Sequence, residues 1–91
     1  MYYVYIVECA DATLYTGIAT ELERRIEEHN HSDKGAKYTR ARRPVTLVYH
    51  ETFKDRSTAS KREYEIKKKM SRKQKLSLFS KDYQEIPKAS L

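Results

Sequence analysis

The order of elements in this chain predicts an α+β fold, a small three-stranded antiparallel sheet flanked by helices in the order strand, strand, helix, strand, helix, helix. Three observations carry that expectation. Tyr2 to Glu8 is a run of aromatic and β-branched residues, apolar on both faces, as a central strand requires. A second such run, Leu14 to Ala19, follows after only a short turn, so the two should pair as a hairpin. Beyond them, apolar residues recur at helical spacing in two stretches, Leu22 onward and Ser57 onward.

Ala10 to Thr13 is the hairpin turn, with Asp11 as its local hydrogen-bonding residue. Gly17 inside the second strand signals a bulge or a close approach of another group to the backbone. Thr20-Glu21-Leu22-Glu23 has the capping-box pattern, so a helix should start at Thr20 and run to His29 or Asn30. Ser32 to Arg43 is polar and basic and contains Gly35. It reads as a loop with one helical turn around Ala36 to Arg40, closed by Pro44. Val45 to Phe53 is the third strand, and Ser57 to Met70 the longest helical pattern. Ser71 should cap a last helix ending near Phe79. Residues 1–80 are thus expected to form one domain, and 81–91, with Pro87, a flexible tail.

Composition narrows the function. With 91 residues there is room for one domain. Charged residues make up 35% and hydrophobic residues 38%, but the latter are clustered, which argues against disorder. A net charge of +6 points to a polyanionic partner. No apolar run approaches the roughly 20 residues of a membrane span. Cys9 is the sole cysteine, so internal disulfides and cysteine metal clusters are excluded. The start Met-Tyr-Tyr-Val-Tyr has no signal-peptide pattern; a cytoplasmic location and a monomer are the expectations.

The helical wheel, at about 100° per residue, isolates two charges. In the first helix Leu22 and Ile26 form the apolar stripe, Arg25 and His29 lie at its edge, and Arg24 faces solvent. In the long helix Ala59, Ile66 and Met70 form the inward stripe, with Glu63 in its middle and Glu65 elsewhere. An ionised carboxylate on a packed face is costly unless it meets a cation, a metal or a wet cleft. An Arg25–Glu63 salt bridge with no chemistry would satisfy both. Tyr5 and Tyr15 read alone as strand aromatics, and His29 as a residue favoured by a helix C-terminus.

Taken together these residues resemble the GIY-YIG nucleases, over roughly Tyr2 to Met70. Tyr3-Val4-Tyr5 occupies the place of the first motif and Tyr15-Thr16-Gly17 that of the second. Arg25 stands eight residues past Gly17, His29 one turn later, and Glu63 four residues after Ala59, each as in that family. The stretch Lys34-Gly35-Ala36-Lys37-Tyr38-Thr39-Arg40, followed by Arg42-Arg43-Pro44, is similar to its compact single-domain bacterial members. Tyr3 replaces the Gly of the first motif, Thr16 the usual Ile, and no equivalent of a late Asn follows Glu63.

The resemblance implies a metal-dependent endonuclease acting on nucleic acid, DNA in preference to RNA, directed by structure rather than sequence, in repair or recombination. It implies Glu63 as ligand of one divalent ion, Mg²⁺ or Mn²⁺, and Arg25 on the scissile phosphate. Tyr5 and Tyr15 would position or deprotonate the attacking water. His29, whose ordinary pKa lies nearer neutrality, is the other base or a support. Lys37, Tyr38, Arg40, Arg42 and Arg43 form the expected nucleic-acid patch, with Tyr38 stacking on a base. The run Lys67-Lys68-Lys69 reads as a solvated helix face. Two other classes use the same features: a non-catalytic nucleic-acid-binding module, and a subunit that meets an acidic protein.

Overall fold

The computed structural model describes residues 1–79; the boundary expected at 80 and the tail lie outside them. Strands β1 (Tyr2–Glu8), β2 (Leu14–Ala19) and β3 (Thr46–Phe53) form one antiparallel sheet in the order β2-β1-β3. The aromatic and β-branched first run is therefore central, as expected. β2 is an edge. The α-helices of the described residues are α1 (Leu22–His31), α2 (Lys37–Arg40), α3 (Arg56–Tyr64) and α4 (Arg72–Phe79).

Alternation along β1 divides the interior into two halves. Val4 and Ile6 point to one face, where they pack with Ala59 and Ile66 and with half-buried Phe53, Met70 and Leu78. Tyr5 and Val7 point to the other, with Cys9, Val45 and the α1 residues Leu22 and Ile26. The register places Tyr5 between Gly17 of β2 and His50 of β3. A single irregularity, between Ile6 and Val7, interrupts the β1–β3 ladder.

Local chemistry explains the turns. Asp11 accepts from the backbone N–H and hydroxyl of Thr13, closing the hairpin. Ser71 and Gln74 cap α4 reciprocally, each side chain accepting from the other's backbone N–H. Two helix starts differ from expectation. No capping box forms at Thr20: the first intrahelical bond runs from Arg25 N–H to Glu21 C=O, so Glu21 is the cap residue and Thr20 lies outside. The helix also runs on to His31. α3 is capped by Asp55, whose carboxylate accepts from Thr58 N–H at 2.8 Å, and starts at Arg56. Its regular turns end at Tyr64. The segment Glu65–Lys69 continues with wider turns, closed by Met70 N–H to Glu65 C=O.

Candidate active site

The site begins with Tyr5, whose side chain is only 1% exposed although it ends in a hydroxyl. Its ring crosses β2 at Gly17. A Cβ at that position would stand 2.5 Å from the Tyr5 hydroxyl and 2.7 Å from Cζ, so only glycine leaves room. Of the two readings of Gly17, close approach is the one realised.

The hydroxyl ends 2.7 Å from Nε2 of His29. The other ring nitrogen, Nδ1, lies 2.8 Å from Oγ1 of Thr39, and that hydroxyl donates to the carbonyl of Ala36 at 2.9 Å. His29 and Thr39 are both fully buried. His29 was expected at the edge of the α1 stripe; it lies instead inside, while Leu22 and Ile26 are only half-buried. The reason is that both ring nitrogens find partners, which removes the cost of burying a polar ring. Burial, with the nearby Arg25 cation, pulls the His29 pKa down to about 4. Burial likewise pushes Tyr5 up to about 12, against the opposing pull of Arg25. Near neutral pH the Tyr5–His29 pair is therefore uncharged.

Around this buried chain stands a rim of charge. The Arg25 guanidinium donates to Glu28 at 3.0 Å and to the carbonyl of Lys34 at 2.8 Å. Burial works against its charge, but hydrogen bonding to Tyr5 and Glu28 outweighs it and holds its pKa above the usual range. Glu63, from α3, also acts electrostatically on the Tyr5 hydroxyl, the smallest of the influences on it. The Glu63 side chain is 26% exposed, as is that of Arg25. Both stand at the rim rather than within a dry interior. The chemistry-free Arg25–Glu63 salt bridge is not formed: Arg25 pairs with Glu28, and Glu63 with Lys67 at 3.7 Å. The flanks of Glu63 on its helix, Ala59 and Ile66, are fully buried as the wheel predicted.

Tyr15 meets the same centre, its ring 5.4 Å from that of His29 at an angle of 68°. Tyr38 stacks on Tyr15 with centroids 5.9 Å apart, and the Arg42 guanidinium sits 3.9 Å over the Tyr38 ring. Lys67 approaches the Tyr15 ring at 5.6 Å. Lys67 is thus part of this wall rather than a purely solvated cation.

The basic patch divides in two. Lys37 and Arg40 are exposed, and no ion pair engages them among the described residues. Arg42 is held by Asp11 at 3.1 Å and by the carbonyl of Tyr38. Arg43 departs furthest from a role on nucleic acid. It donates to the carbonyls of His29 and Ser32, both at 2.5 Å, and to that of Glu28, so it caps the C-terminal end of α1. Tyr38 is likewise an internal stacking partner before it is a platform for a base.

Beyond Arg25 a groove of about 340 Å³ opens between α1 and the start of α3, lined by Thr20, Glu21, Arg24, Arg25, Glu28 and Arg56. Arg24 is solvent-exposed, as the wheel predicted.

Four structural partners escaped the sequence reading. Thr39 and Glu28 hold His29 and Arg25, as described. Asn30 binds the backbone N–H and C=O of Val45 at 2.7 and 3.0 Å and fixes β3 to α1. Gly35 lets its loop touch α1, since a Cβ there would meet the Glu28 carbonyl at 2.7 Å. None has a periodic signature; only partners far along the chain reveal them.

Glu28 is engaged by Arg25, which leaves Glu63 as the candidate carboxylate for a metal. Among the described residues no three His, Cys, Asp or Glu side chains gather to cage a metal. That donor set suits a hard divalent ion held by one carboxylate, waters and substrate oxygens. No helix among the described residues is long and apolar enough to cross a membrane.

Comparison with known proteins now adds names. The profile of the GIY-YIG catalytic domain matches residues 1–77. A UPF0213 protein of Desulfotalea psychrophila is 71% identical over 66 residues, 72% of this chain; the chain spans about 60% of that relative's length. A UPF0213 protein of Halobacterium salinarum is 54% identical over 87% of this chain and its own whole length. The solution structure of the UPF0213 protein of Bacillus halodurans aligns with a TM-score of 0.51 and 49% identity, covering 82% of this chain and 79% of its own. That of an E. faecalis protein aligns with a TM-score of 0.56 and 46% identity, covering 81% and 77%.

Proposed function

We propose, for a chain that belongs to the GIY-YIG family, that it is a divalent-metal-dependent endonuclease hydrolysing phosphodiester bonds in nucleic acid, with DNA structures its substrate before RNA and repair or recombination its setting. The observation that supports this reading is the convergence of four dissimilar groups. Tyr5, buried and hydrogen-bonded to His29, is acted on by both Arg25 and Glu63, which come from helices on either side of the sheet. A binding surface needs the arginine; it has no use for a carboxylate beside the position of a phosphate.

In this reading Glu63 holds one Mg²⁺ or Mn²⁺, which when bound neutralises phosphoryl oxygens and the leaving oxygen. Arg25 grips the scissile phosphate, kept in place by Glu28 and the Lys34 carbonyl. Tyr5 and Tyr15 orient the attacking water. With Tyr5 near 12 and His29 near 4, the pair works as neutral hydrogen-bonding groups, and His29 supports Tyr5 rather than acting as a solvent-facing base. The Arg24–Arg56 groove and the Lys37–Arg40 surface give the strand a cationic path away from the cut. Phosphate contacts of this kind position a strand without reading its bases, which fits structure-directed cutting.

The test is a panel of labelled DNA and RNA duplexes, flaps, branches and single strands, incubated with and without Mg²⁺ or Mn²⁺. Wild type should cut at least one substrate only with metal. Arg25→Ala and Glu63→Ala should each reduce cutting by at least about a hundredfold. Binding without cutting in every metal would leave a nucleic-acid-binding module. Full activity in Glu63→Ala would remove Glu63 from the reaction.

A further inference from the structure

The hydrogen-bond chain under the site has a direction, and Thr39 decides it. Four groups stand in line: the Tyr5 hydroxyl, the His29 ring, the Thr39 hydroxyl and the Ala36 carbonyl, with gaps of 2.7, 2.8 and 2.9 Å. A neutral imidazole carries one N–H, and each hydroxyl one O–H. Three protons must serve three gaps. The Ala36 carbonyl also accepts from the backbone N–H groups of Thr39 and Arg40, both at 3.1 Å, but a carbonyl cannot donate, so the 2.9 Å gap between two oxygens is bridged only if the Thr39 proton lies toward Ala36. Thr39 then accepts from His29, which places the ring proton on Nδ1. Nε2 is left with a lone pair, and the Tyr5 hydroxyl donates to it.

The reverse arrangement, with Nε2–H donating to Tyr5 and Thr39 donating to Nδ1, leaves two oxygens 2.9 Å apart with no proton between them. It also turns the Tyr5 proton outward. The three side chains are sealed, since Tyr5, His29 and Thr39 are essentially inaccessible, Ala36 is half-buried, and no buried polar side-chain atom among the described residues lacks a partner. Water therefore cannot supply the missing proton.

We propose that Thr39 is a positioning residue: it holds His29 as the Nδ1–H tautomer, so that Tyr5 donates inward and turns its oxygen lone pairs outward, toward the charged rim of the cleft. The same oxygen stays open to the Arg25 donor. Thr39 touches neither substrate nor metal; it acts two hydrogen bonds away.

The kinetic part of this proposal rests on the nuclease reading, but the tautomer does not, so the two fail separately. In ¹⁵N-labelled protein, histidine nitrogen shifts, with His29 assigned by its loss in His29→Gln, should show Nδ1 protonated and Nε2 bare. In Thr39→Val the Nδ1 proton loses its acceptor and should move to Nε2. Cleavage by that variant should lose tenfold or more in kcat, a rough figure for removing an orienting partner, with KM little changed. Thr39→Ser, which restores the hydroxyl, should recover both tautomer and kcat. A wild-type spectrum with the proton on Nε2 overturns the proposal, whatever the variants do. So does a Thr39→Val protein that keeps either the wild-type tautomer or the wild-type kcat. If Thr39→Val fails to fold, the wild-type spectrum and the kcat of Thr39→Ser decide. A wild-type chain that cuts nothing sinks the nuclease reading, while the spectrum still decides this one.

Discussion

The two faces of β1 are made from alternate residues of one strand, yet they do opposite work. Val4 and Ile6 face a core of aliphatic and aromatic contacts completed by Ala59 and Ile66, all four fully buried. Tyr5, one residue between them, faces an equally inaccessible region that contains a histidine and a threonine. The first face gains stability from area removed from water. The second gives up part of that gain to keep polar groups in one fixed geometry, and it does so directly beneath the charged rim. Burial is the same on both sides; what differs is whether the buried atoms need partners.

If that division holds, damage to the two faces should separate stability from activity. The largest stability effect is expected on the aliphatic face: Ile66→Ala should cost about 2–5 kcal/mol in denaturant unfolding, with cleavage per folded molecule unchanged. A matching loss of activity in the folded fraction would erase the contrast.

The buried histidine ranks next. Its folded pKa, about 4, lies below the ordinary 6.5, so the unfolded chain binds the extra proton between those values. Its contribution is fully present above about pH 6.5 and is lost as pH falls toward 4. The shift corresponds to roughly 3 kcal/mol at most. Melting followed across that window should show a steeper decline in wild type than in His29→Gln; identical slopes would mean that His29 is protonated in the folded protein.

Gly17→Ala should come third in stability, about 1–3 kcal/mol, because its new Cβ would collide with the Tyr5 ring and hydroxyl. Here cleavage should suffer more than folding, since Tyr5 must leave His29 to make room. Retained activity at reduced stability would show that Tyr5 need not hold that position. The smallest effects belong to the exposed cations. Lys37→Ala and Arg40→Ala should each lower the slope of log affinity against log salt by about one, with little change in melting. Arg43→Ala should do the reverse, lowering stability through the C-terminal end of α1 and leaving the salt slope alone.

Much of this was legible beforehand. Strand positions follow from runs of tyrosine and β-branched residues, and the hairpin from the short turn at Asp11. Periodicity placed Ala59, Ile66 and Glu63 on one stripe and Arg24 in solvent. The family resemblance added Tyr5 and Tyr15 and joined them to Arg25, His29 and Glu63 as a set. What periodicity misjudged was depth. Arg25 stands at the edge, as the wheel placed it, but Glu63 stands at a rim rather than mid-stripe, and His29 lies deeper than its neighbours Leu22 and Ile26, because depth depends on what another element brings to meet a side chain. Arg40 and Arg43 show the same limit: alike on paper, one is exposed and the other caps a helix.

The amino-acid order by itself determined the strand and helix sequence, the basic surface charge and the types of group available for chemistry, since local propensity, alternation and charge are properties of neighbours along the chain. Only the tertiary structure decided that Thr39 and Tyr5 meet opposite edges of one imidazole, that Gly17 gives way to a tyrosine ring, and that Arg43 serves α1. Hydrogen bonds and close contacts between distant segments depend on positions to within about half an ångström, and no pattern of nearby residues carries that information.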